Sequence, residues 1–270
     1  MGLYGKEGRA KKALKEGVGV TSMKFNKQIF TILILALLVP LAVSASTHTD
    51  GAKEQNANQA GFSNIKPNAV TPWNPKPTSP VIDHTAFVHP MASIIGAVIV
   101  GANVMVSSMA SVRGDEGMPI FLGKDSNVQD GVVIHGLETI DEHGKPVENN
   151  LVVGPDGKKC AVYVGERVSL AHQSQVHGPA LIGNDTFIGM QAFVFKAHVG
   201  NNCVLEPKSA AIGVTIPYGR YISAGLIITN QKDADNLPTV LEGYTYQKTN
   251  AAVVYVNDNL AKGYNTAKAA

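Results

Sequence analysis

Aliphatic residues recur every six positions along the body of the chain. A period of six is neither the period of about 3.6 of an α-helix nor the period of about two of a half-buried strand. Slim residues, alanine or valine, follow the first five aliphatic positions by four. The pattern therefore predicts a repeat whose unit is a hexapeptide. Its first uninterrupted run is Ile82, Val88, Ile94, Val100, Val106 and Val112.

The pattern resumes after two interruptions, at 113–121 and 137–160, which we interpret as loops that leave the repeat. A hexapeptide that forms one short strand and one tight turn builds one side of a triangular coil, with its aliphatic residue inside the prism. We therefore predict an all-β solenoid, a parallel β-helix. The alternative is a β-sandwich with chance spacing. The later repeat positions are Leu122, Val128, Ile134, Val164, Leu170, Val176, Ile182, Ile188 and Val194.

The hexapeptide pattern fades beyond about residue 225. Residues 233–237 and 251–262 can form helices, and the second places apolar residues at helical spacing. The open end of a solenoid needs a cap. We therefore expect a β-helix domain at 67–225, which would carry any functional site, and a C-terminal helical cap at 226–270.

The N-terminal region has the features of a secretory signal peptide. An apolar run at 29–43 follows two lysines and precedes small residues, and it is shorter than the ~20 residues of a membrane span. We expect an N-terminal extension and leader in 1–45, a flexible polar linker in 46–66, and secretion to the cell exterior. No stable membrane anchor is expected, although a retained anchor is the alternative. The hydrophilic stretch ahead of Met23 makes that residue an alternative start to Met1.

Composition and charge narrow the function classes. With 44% hydrophobic and 16% charged residues the chain is too apolar for disorder. The net charge of +2 arises because basic residues concentrate in 1–45, and the remainder is mildly acidic, which argues against a nucleic-acid partner. Two cysteines, Cys160 and Cys203, are too few for a disulfide scaffold or a zinc site made mainly of thiolates. We expect both to be unpaired.

Three of the eight histidines suggest a metal site. His135 and His177 each follow a core aliphatic residue, so both are predicted to project outward from the prism. His172 lies five positions before His177, so the two cannot share one strand face as alternate residues would. Two chains packed side by side would bring them to one ion more readily than a single chain. Three imidazoles with an open position suit a catalytic zinc or another borderline divalent metal; the alternative is three surface histidines.

Polar residues cluster near these histidines. Asn127 and Gln129 flank a buried Val128, so both are predicted to face outward beside the position of His135. Outward Arg113 and Asp130 are candidates for a fork-like pair between subunits. The alternative is an ordinary surface ion pair worth at most ~1 kcal/mol.

Several motifs together resemble those of the γ-class carbonic anhydrases, most closely the secreted enzymes of methanogenic archaea. The similarity extends from about Val70 to Gly263. The motifs are Thr-Pro-Trp73-Asn-Pro, Arg113-x-Asp115-Glu116-Gly-Met-Pro, Ser126-Asn127-Val128-Gln129-Asp130-Gly, His135-x-x-Glu138, Ser169-Leu-Ala-His172-Gln-Ser-Gln-Val-His177-Gly-Pro and Gly189-Met-Gln-Ala-Phe-Val-Phe.

The resemblance implies a homotrimer of left-handed β-helices with a metal at each subunit interface. His135 and His177 would come from one chain and His172 from its neighbour. Zinc is the metal usually found in the family, and ferrous iron is the alternative in an anaerobic host. The implied reaction is the reversible hydration of carbon dioxide to bicarbonate and a proton by a metal-bound hydroxide.

The resemblance also implies roles for the surrounding residues. Gln129 would orient the hydroxide, and Asn257 would help to hold carbon dioxide. Glu116 would lie beside the bound water, and Glu138 would carry the proton to solvent. Arg113 and Asp130 would bridge subunits.

Two other functions are compatible with a hexapeptide solenoid. An acyltransferase would need one catalytic base and a long groove for coenzyme A, and it gives no reason for three clustered histidines. A non-catalytic trimeric assembly subunit could lose ligands or the acidic loop, whereas every ligand position is filled here.

Overall fold

The computed structural model describes residues 64–241 and 243–269. The expected leader and nearly all of the expected linker lie outside the described residues, so both stay predictions. Within the described part, the chain is a parallel β-solenoid followed by two α-helices. No helix in this part is both long and apolar enough to cross a membrane.

The strands are short, and the paired ones extend from Ile65 to Ile228, slightly beyond the expected interval 67–225. In chain order they are β1 (Ile65–Lys66), β2 (Val81–Ile82), β3 (Phe87–Val88), β4 (Ser93–Gly96), β5 (Val98–Val100), β6 (Met105–Val106), β7 (Ser111–Gly114), β8 (Ile120–Leu122), β9 (Asn127–Val128), β10 (Val133–His135), β11 (Val152–Val153) and β12 (Lys159–Cys160). The remaining strands are β13 (Val162–Val164), β14 (Ser169–Leu170), β15 (Gln175–His177), β16 (Ala180–Ile182), β17 (Phe187–Ile188), β18 (Phe193–Phe195), β19 (His198–Val199), β20 (Val204–Leu205), β21 (Ala210–Ile212), β22 (Thr215–Ile216), β23 (Tyr221–Ile222) and β24 (Ile227–Ile228).

Three parallel sheets form the faces of a triangular prism. Face one has the order β1-β4-β7-β10-β15-β18-β21-β24, face two is β2-β5-β8-β13-β16-β19-β22, and face three is β3-β6-β9-β14-β17-β20-β23. Each strand pairs with the strand one coil further along the chain, because three hexapeptides complete a turn. The predicted left-handed β-helix with a C-terminal helix is confirmed.

The core consists of the repeat aliphatic residues stacked in register. On face one, Ile94 is paired with Val112, Val112 with Ile134, and Ile134 with Val176. All of these side chains are at most 1% exposed. Burial of one such side chain stabilises the fold by about 1.5–3 kcal/mol, and the benefit is repeated on every coil.

The corners require a left-handed backbone at regular positions. Asn103, Asp125 and Gln173 have φ values of 56°, 58° and 59°; asparagine and aspartate tolerate this region better than most residues. The Asn103 Nδ2 donates to Asp125 Oδ1 at 2.9 Å, which ties one corner to the next. Between coils the backbones approach so closely that a Cβ at Gly123 would collide with the carbonyl of Gly165.

Two excursions interrupt the coils where the sequence predicted loops. The first joins β7 to β8. The second joins β10 to β13 and contains a 3-10 helix, Glu148–Asn150, and the antiparallel hairpin β11–β12. Cys160 lies in this hairpin; it and Cys203 are both buried and, as expected, neither is in a disulfide. Burial and the nearby Asp156 raise the pKa of the Cys160 thiol to about 11, so this thiol is unreactive at neutral pH.

Two helices complete the fold. The short helix α1 (Gln231–Asp235) lies against β22 and β24, and its buried Ala234 joins the core at the last coil. The long helix α2 (Thr249–Ala269) packs along face three against β3, β6, β9 and β14. Ala261 is fully buried against Phe87 and Met105, and Tyr264 stacks on Phe87 with ring centroids 4.7 Å apart.

Candidate metal centre

Two histidines lie side by side at one edge of face one. His135 ends β10, His177 ends β15, and the two are partners in the parallel ladder. Their ring centroids are 5.3 Å apart and the rings are nearly perpendicular, at 88°. Because successive coils superimpose the same repeat position, the solenoid itself sets this spacing.

Two carboxylates from the first excursion approach the same point. His135 Nε2 lies 3.3 Å from Glu116 Oε1 and 3.5 Å from Asp115 Oδ1. Neither contact has hydrogen-bond geometry, so within the described part of the chain His135 Nε2 and Asp115 Oδ1 are buried polar atoms without a hydrogen-bond partner. Such atoms are costly unless another group satisfies them.

Burial lowers the pKa of His135, and the positive charge of Arg113 lowers it further. The carboxylates of Glu116 and Asp115 oppose this effect without reversing it. His135 is therefore neutral at pH 7, which is the form in which an imidazole binds a metal.

The second imidazole is oriented by the backbone. His177 Nδ1 lies 3.1 Å from the carbonyl oxygen of Gly178. A carbonyl only accepts, so this contact places the proton on Nδ1 and leaves Nε2 with a free lone pair. Phe195 packs edge-on against the ring at a centroid distance of 5.3 Å. We call His135, His177, Asp115 and Glu116 the imidazole-pair edge.

His172 lies at the opposite edge of face one, in the corner between β14 and β15. Its Nδ1 is 3.1 Å from Asp130 Oδ2, and its side chain is 58% exposed. Ser108 Oγ donates to Asp130 Oδ1 at 2.6 Å, and this hydrogen bond is the main cause that lowers the pKa of Asp130. A carboxylate on Nδ1 fixes the ring and raises the basicity of Nε2, as in many metal sites.

A chain of side-chain hydrogen bonds leads to Gln129 beside this corner. Gln129 Nε2 donates to Asn127 Oδ1 at 2.9 Å, and Asn127 Nδ2 donates to Ser169 Oγ at 2.9 Å. Asn127 and Gln129 do not lie in the aliphatic core, but both are buried rather than exposed. Both side chains point away from the prism, as predicted, and they are buried because helix α2 lies over this part of face three.

A cavity of about 410 Å³ lies between the His172 corner and α2. Asn257 in this wall is nearly buried, and its Nδ2 donates to the carbonyl of Val253 in its own helix at 2.9 Å. The cavity thus combines one imidazole, two amides and an apolar wall. We call Gln129, Asp130, His172 and Asn257 the amide edge. The cavity is lined by Ser107, Gln129, Asp130, His172, Ala252, Val253, Val256, Asn257 and Leu260.

The structure does not bring all sequence-predicted residues together in one chain. Among the described residues, the one cluster of three potential metal ligands consists of Asp115, Glu116 and His135, with ligand atoms within 4.8 Å of one another. His172 is a full face away from it. Arg113 Nε contacts Asp115 Oδ2 at 3.2 Å within its own chain, rather than Asp130.

Glu138 follows the imidazole-pair edge at the start of the long excursion, and its side chain is exposed. Its carbonyl oxygen accepts a hydrogen bond from Asn150 Nδ2 at 2.7 Å. The backbone at Glu138 is therefore anchored. The carboxylate already reaches solvent, so no movement of the segment is needed.

Sequence reasoning gave no role to the residues that hold the acidic turn. The carbonyl of Asp115 accepts hydrogen bonds from Trp73 Nε1 at 3.0 Å and from Asn74 Nδ2 at 2.6 Å. The motif Thr-Pro-Trp-Asn-Pro was the available signal, but its target on a distant turn could not be read from the sequence.

The donor set of the imidazole-pair edge fits a divalent metal ion. A half-buried, neutral imidazole has a buried and unpartnered Nε2, a second imidazole has its Nδ1 engaged, and carboxylates lie beside them. Imidazole and carboxylate are the usual ligands of zinc and ferrous iron in proteins. Two histidines alone leave the ligand set short of the three protein ligands of a catalytic zinc site.

Comparison with known proteins finds a relative along nearly the whole chain. A carbonic anhydrase of Methanosarcina thermophila is 65% identical over 245 residues, which cover 90% of this chain and 98% of that protein. The carboxysome assembly protein CcmM of Nostoc sp. is 45% identical over 170 residues, 63% of this chain but 29% of that protein. No protein-family model matches the chain.

Among solved structures, a hexapeptide transferase family protein from Anaplasma phagocytophilum aligns with a TM-score of 0.46 and 23% identity. The alignment covers 69% of this chain and 93% of that chain. This likeness is too weak to bear on function.

Proposed function

Because the chain belongs to the γ-class carbonic anhydrases, which hydrate carbon dioxide reversibly to bicarbonate and a proton, we propose that its active site forms between two copies of the chain. The imidazole-pair edge of one copy faces the amide edge of the next. The observation that carries this proposal is the division of the site residues between opposite edges of face one. The imidazole-pair edge has two of the three proposed ligands, and the amide edge has the third together with both amides.

The assembly that satisfies both edges is a ring. Each chain presents two different edges, so the contact between copies is heterologous. Repeated heterologous contacts close into a ring when the rotation that relates neighbouring copies is 360° divided by a whole number. The homotrimer that the family resemblance implies is such a ring, and it has three equal sites. Arg113 and Asp130 then meet across the contact, in addition to their partners within the chain.

The metal proposed at each site is zinc, with ferrous iron as the alternative in an anaerobic host. His135 and His177 of one chain and His172 of the next would hold it. When bound, such an ion supplies a positive charge and a water of lowered pKa at neutral pH.

The chain's own amides and carboxylates serve the substrate and the proton. Gln129 is held by Asn127, so its amide has one fixed orientation, and we assign it to orient the attacking oxygen. Asn257 in the apolar cavity wall donates a hydrogen bond to an oxygen of carbon dioxide. Glu116, beside His135, takes the proton that the reaction releases.

Glu138 passes the proton from Glu116 to solvent. A proton released by a group of pKa ~7 directly to water leaves no faster than about 10³ s⁻¹, given a recombination ceiling of ~10¹⁰ M⁻¹s⁻¹. Faster turnover needs an exposed carrier that hands the proton to buffer. The anchored backbone and exposed carboxylate of Glu138 support this role.

The alternative of a non-catalytic assembly subunit has weaker support. The relative that is an assembly protein aligns with 63% of this chain at 45% identity, whereas the carbonic anhydrase aligns with 90% of this chain at 65% identity.

We also propose that the enzyme is exported and begins near Ser46 after cleavage. No assigned site residue precedes Trp73, and N-terminal sequencing of exported protein would find residues before Ile29 if this is wrong.

Mixing of two inactive variants tests the shared site. His177→Ala disables the imidazole-pair edge, and His172→Ala disables the amide edge. If chains exchange at random in an equimolar mixture, about one quarter of the contacts join two intact edges, so about a quarter of wild-type carbon dioxide hydration should return. The measurement is stopped-flow hydration on metal-loaded protein after co-refolding.

The matched control mixes His135→Ala with His177→Ala. Both substitutions lie on the same edge, so no contact is intact and no activity should return. Recovery in this control, or none in the test mixture despite trimer formation, would refute a site shared between chains.

A further inference from the structure

Thr139 is buried directly after the exposed Glu138. Its side chain is 0% exposed, in contrast to both neighbours in the chain. The hydroxyl accepts a hydrogen bond from the backbone N–H of Met118 at 2.6 Å and donates a short one to the carbonyl oxygen of Glu116. One side chain of the long excursion thus holds both ends of the turn that contains Glu116.

The backbone of Thr139 makes the same connection. Its N–H donates to the Glu116 carbonyl at 2.8 Å, and its own carbonyl accepts from Val147 N–H at 2.9 Å. The Glu116 carbonyl therefore receives two hydrogen bonds from one residue. Together they fasten the acidic turn to the base of the excursion.

The turn is shaped to receive this hydroxyl. Gly117 has a φ of 103°, a region that side chains rarely adopt. A Cβ at this position would lie 2.7 Å from Thr139 Oγ1 and 2.9 Å from Ile140 Cγ1. The absence of a side chain at Gly117 is what lets Thr139 reach the backbone on both sides of it.

We propose that Thr139 is a positioning residue that fixes Glu116 relative to Glu138, so that proton transfer between the two carboxylates depends on its hydroxyl. This inference rests on the proposed function of Glu138 as the proton carrier. The two carboxylates are carried by separate excursions of the chain, and Thr139 joins them one residue from Glu138. Proton transfer is sensitive to separation, since donor and acceptor must come within hydrogen-bond reach directly or through one water.

The hydroxyl, rather than the volume of the side chain, is the relevant group. Valine has the same shape as threonine but leaves the Met118 N–H without its acceptor. The turn must then shift to satisfy this N–H, and Glu116 shifts with it. Serine retains the hydroxyl and loses only the methyl group.

Thr186 is a matched control elsewhere in the chain. It is also fully buried, its hydroxyl donates to the Gly200 carbonyl at 2.9 Å, and it accepts from the Cys203 N–H at 3.2 Å. It lies in a corner of the solenoid and not beside either carboxylate. Thr186→Val therefore removes an equivalent pair of hydrogen bonds without touching the acidic turn.

The experiment compares Thr139→Val, Thr139→Ser, Thr186→Val and Glu138→Ala in metal-loaded enzyme at low buffer concentration. We expect Thr139→Val to lower kcat about five- to tenfold, with a smaller change in kcat/KM. Thr139→Ser and Thr186→Val should stay within about twofold of wild type, and imidazole should restore kcat in Thr139→Val. In the Glu138→Ala background, Thr139→Val should lower kcat no further, because both changes interrupt one transfer.

A second readout does not depend on metal or activity. Hydrogen exchange in metal-free protein should become faster for residues 115–118 in Thr139→Val and remain unchanged there in Thr186→Val. If Thr139→Val does not fold, Gly117→Ala, whose Cβ would press on the Thr139 hydroxyl, should give the same kinetic result.

The outcomes separate the two proposals. If Glu138→Ala lowers kcat but neither Thr139→Val nor Gly117→Ala does, the inference about Thr139 is wrong and the shuttle stands. If the fold reductions in kcat caused by Thr139→Val and Glu138→Ala multiply in the double variant, Thr139 affects a step other than this proton transfer. The inference is then also wrong. If Glu138→Ala itself leaves kcat unchanged, the proton-carrier role in the proposed function fails, and the positioning role fails with it.

Discussion

The two edges of face one hold their functional groups by different means. On the imidazole-pair edge, His135 and His177 are neighbours in one parallel ladder, and the backbone carbonyl of Gly178 orients the second ring. On the amide edge, a side chain, Asp130, orients His172, and the cavity wall comes from helix α2. One edge is a product of the repeat, and the other is assembled from distant parts of the chain.

This difference shows where the site is robust and where it is sensitive. A ladder pair stays in place as long as the coils stack, because the buried aliphatic residues Ile134 and Val176 fix its register. The amide edge needs the helix docked and the hydrogen-bond chain from Ser169 through Asn127 intact. Substitutions should therefore affect the two edges unequally unless they remove a metal ligand outright.

Removal of a ligand from either edge should have the largest effect. His135→Ala and His172→Ala are each expected to abolish stable metal binding and to lower kcat/KM by on the order of 10³, because two imidazoles rarely hold a catalytic divalent ion tightly. Metal analysis and stopped-flow hydration measure both. Full metal occupancy in His172→Ala would show that the amide edge does not contribute to metal binding, and it would contradict a shared site.

Loss of the charge that orients His172 should have the next largest effect. Asp130→Asn is expected to weaken metal affinity about ten- to hundredfold, the usual cost of losing a carboxylate behind a ligating histidine. Among the residues that the structure describes, no equivalent side chain lies behind His177, whose Nδ1 contacts a backbone carbonyl. Chelator competition gives the affinity.

Asp185→Asn is the matched control for this charge loss. Asp185 pairs with Arg167 at 2.7 Å, in contact with none of the assigned ligands. The Asp185→Asn variant should bind metal with the affinity of the wild-type enzyme. An unchanged affinity in Asp130→Asn would mean that Asp130 does not tune the ligand.

Glu138→Ala should affect turnover without affecting the hydration step. We expect kcat to fall at least about tenfold at saturating carbon dioxide and low buffer, with kcat/KM little changed. Added imidazole should restore much of the lost kcat. An unchanged kcat, or no response to imidazole, would show that Glu138 is an ordinary loop carboxylate and not the proton carrier.

The smallest effect should come from loosening the helix at the amide edge. Tyr264→Ala removes a half-exposed ring that stacks on Phe87, which should cost about 1 kcal/mol of unfolding free energy. Hydrogen exchange should become faster in α2 but not in β10 or β15. Tyr218→Ala is the control, because this tyrosine is 69% exposed and lies outside the helix. It should change neither the unfolding free energy nor the hydrogen exchange of α2. Equal acceleration in β10 would show that the two edges are coupled through the core.

Much of the fold could be read from the sequence because its stabilisation is periodic. Each core position, such as Ile94 or Val112, is specified by its own hexapeptide, and a coil repeats the same contacts with the next. Both excursions appeared as gaps in that period. The helices were visible from their spacing, although α2 runs from Thr249 to Ala269, well beyond the predicted 251–262.

The candidate site could be predicted only in part. The residue types and their places on the repeat pointed to a metal site between chains, and the resemblance supplied roles. The burial of Gln129 and Asn127 could not be foreseen, because it depends on a helix more than a hundred positions later in the chain. Thr139 gave no signal, since a threonine in a loop is ordinary until its partners are known.

The sequence by itself determined the solenoid, the placement of His135 and His177 on superimposed strands, and the separation of His172 from them. These features follow from a short period, in which neighbours in the chain set neighbours in space. Only the tertiary structure decided which polar groups are buried, which nitrogen of His177 is free, and which residue joins the two acidic excursions. Those depend on hydrogen bonds and packing between residues far apart in the chain, whose direction no local pattern encodes.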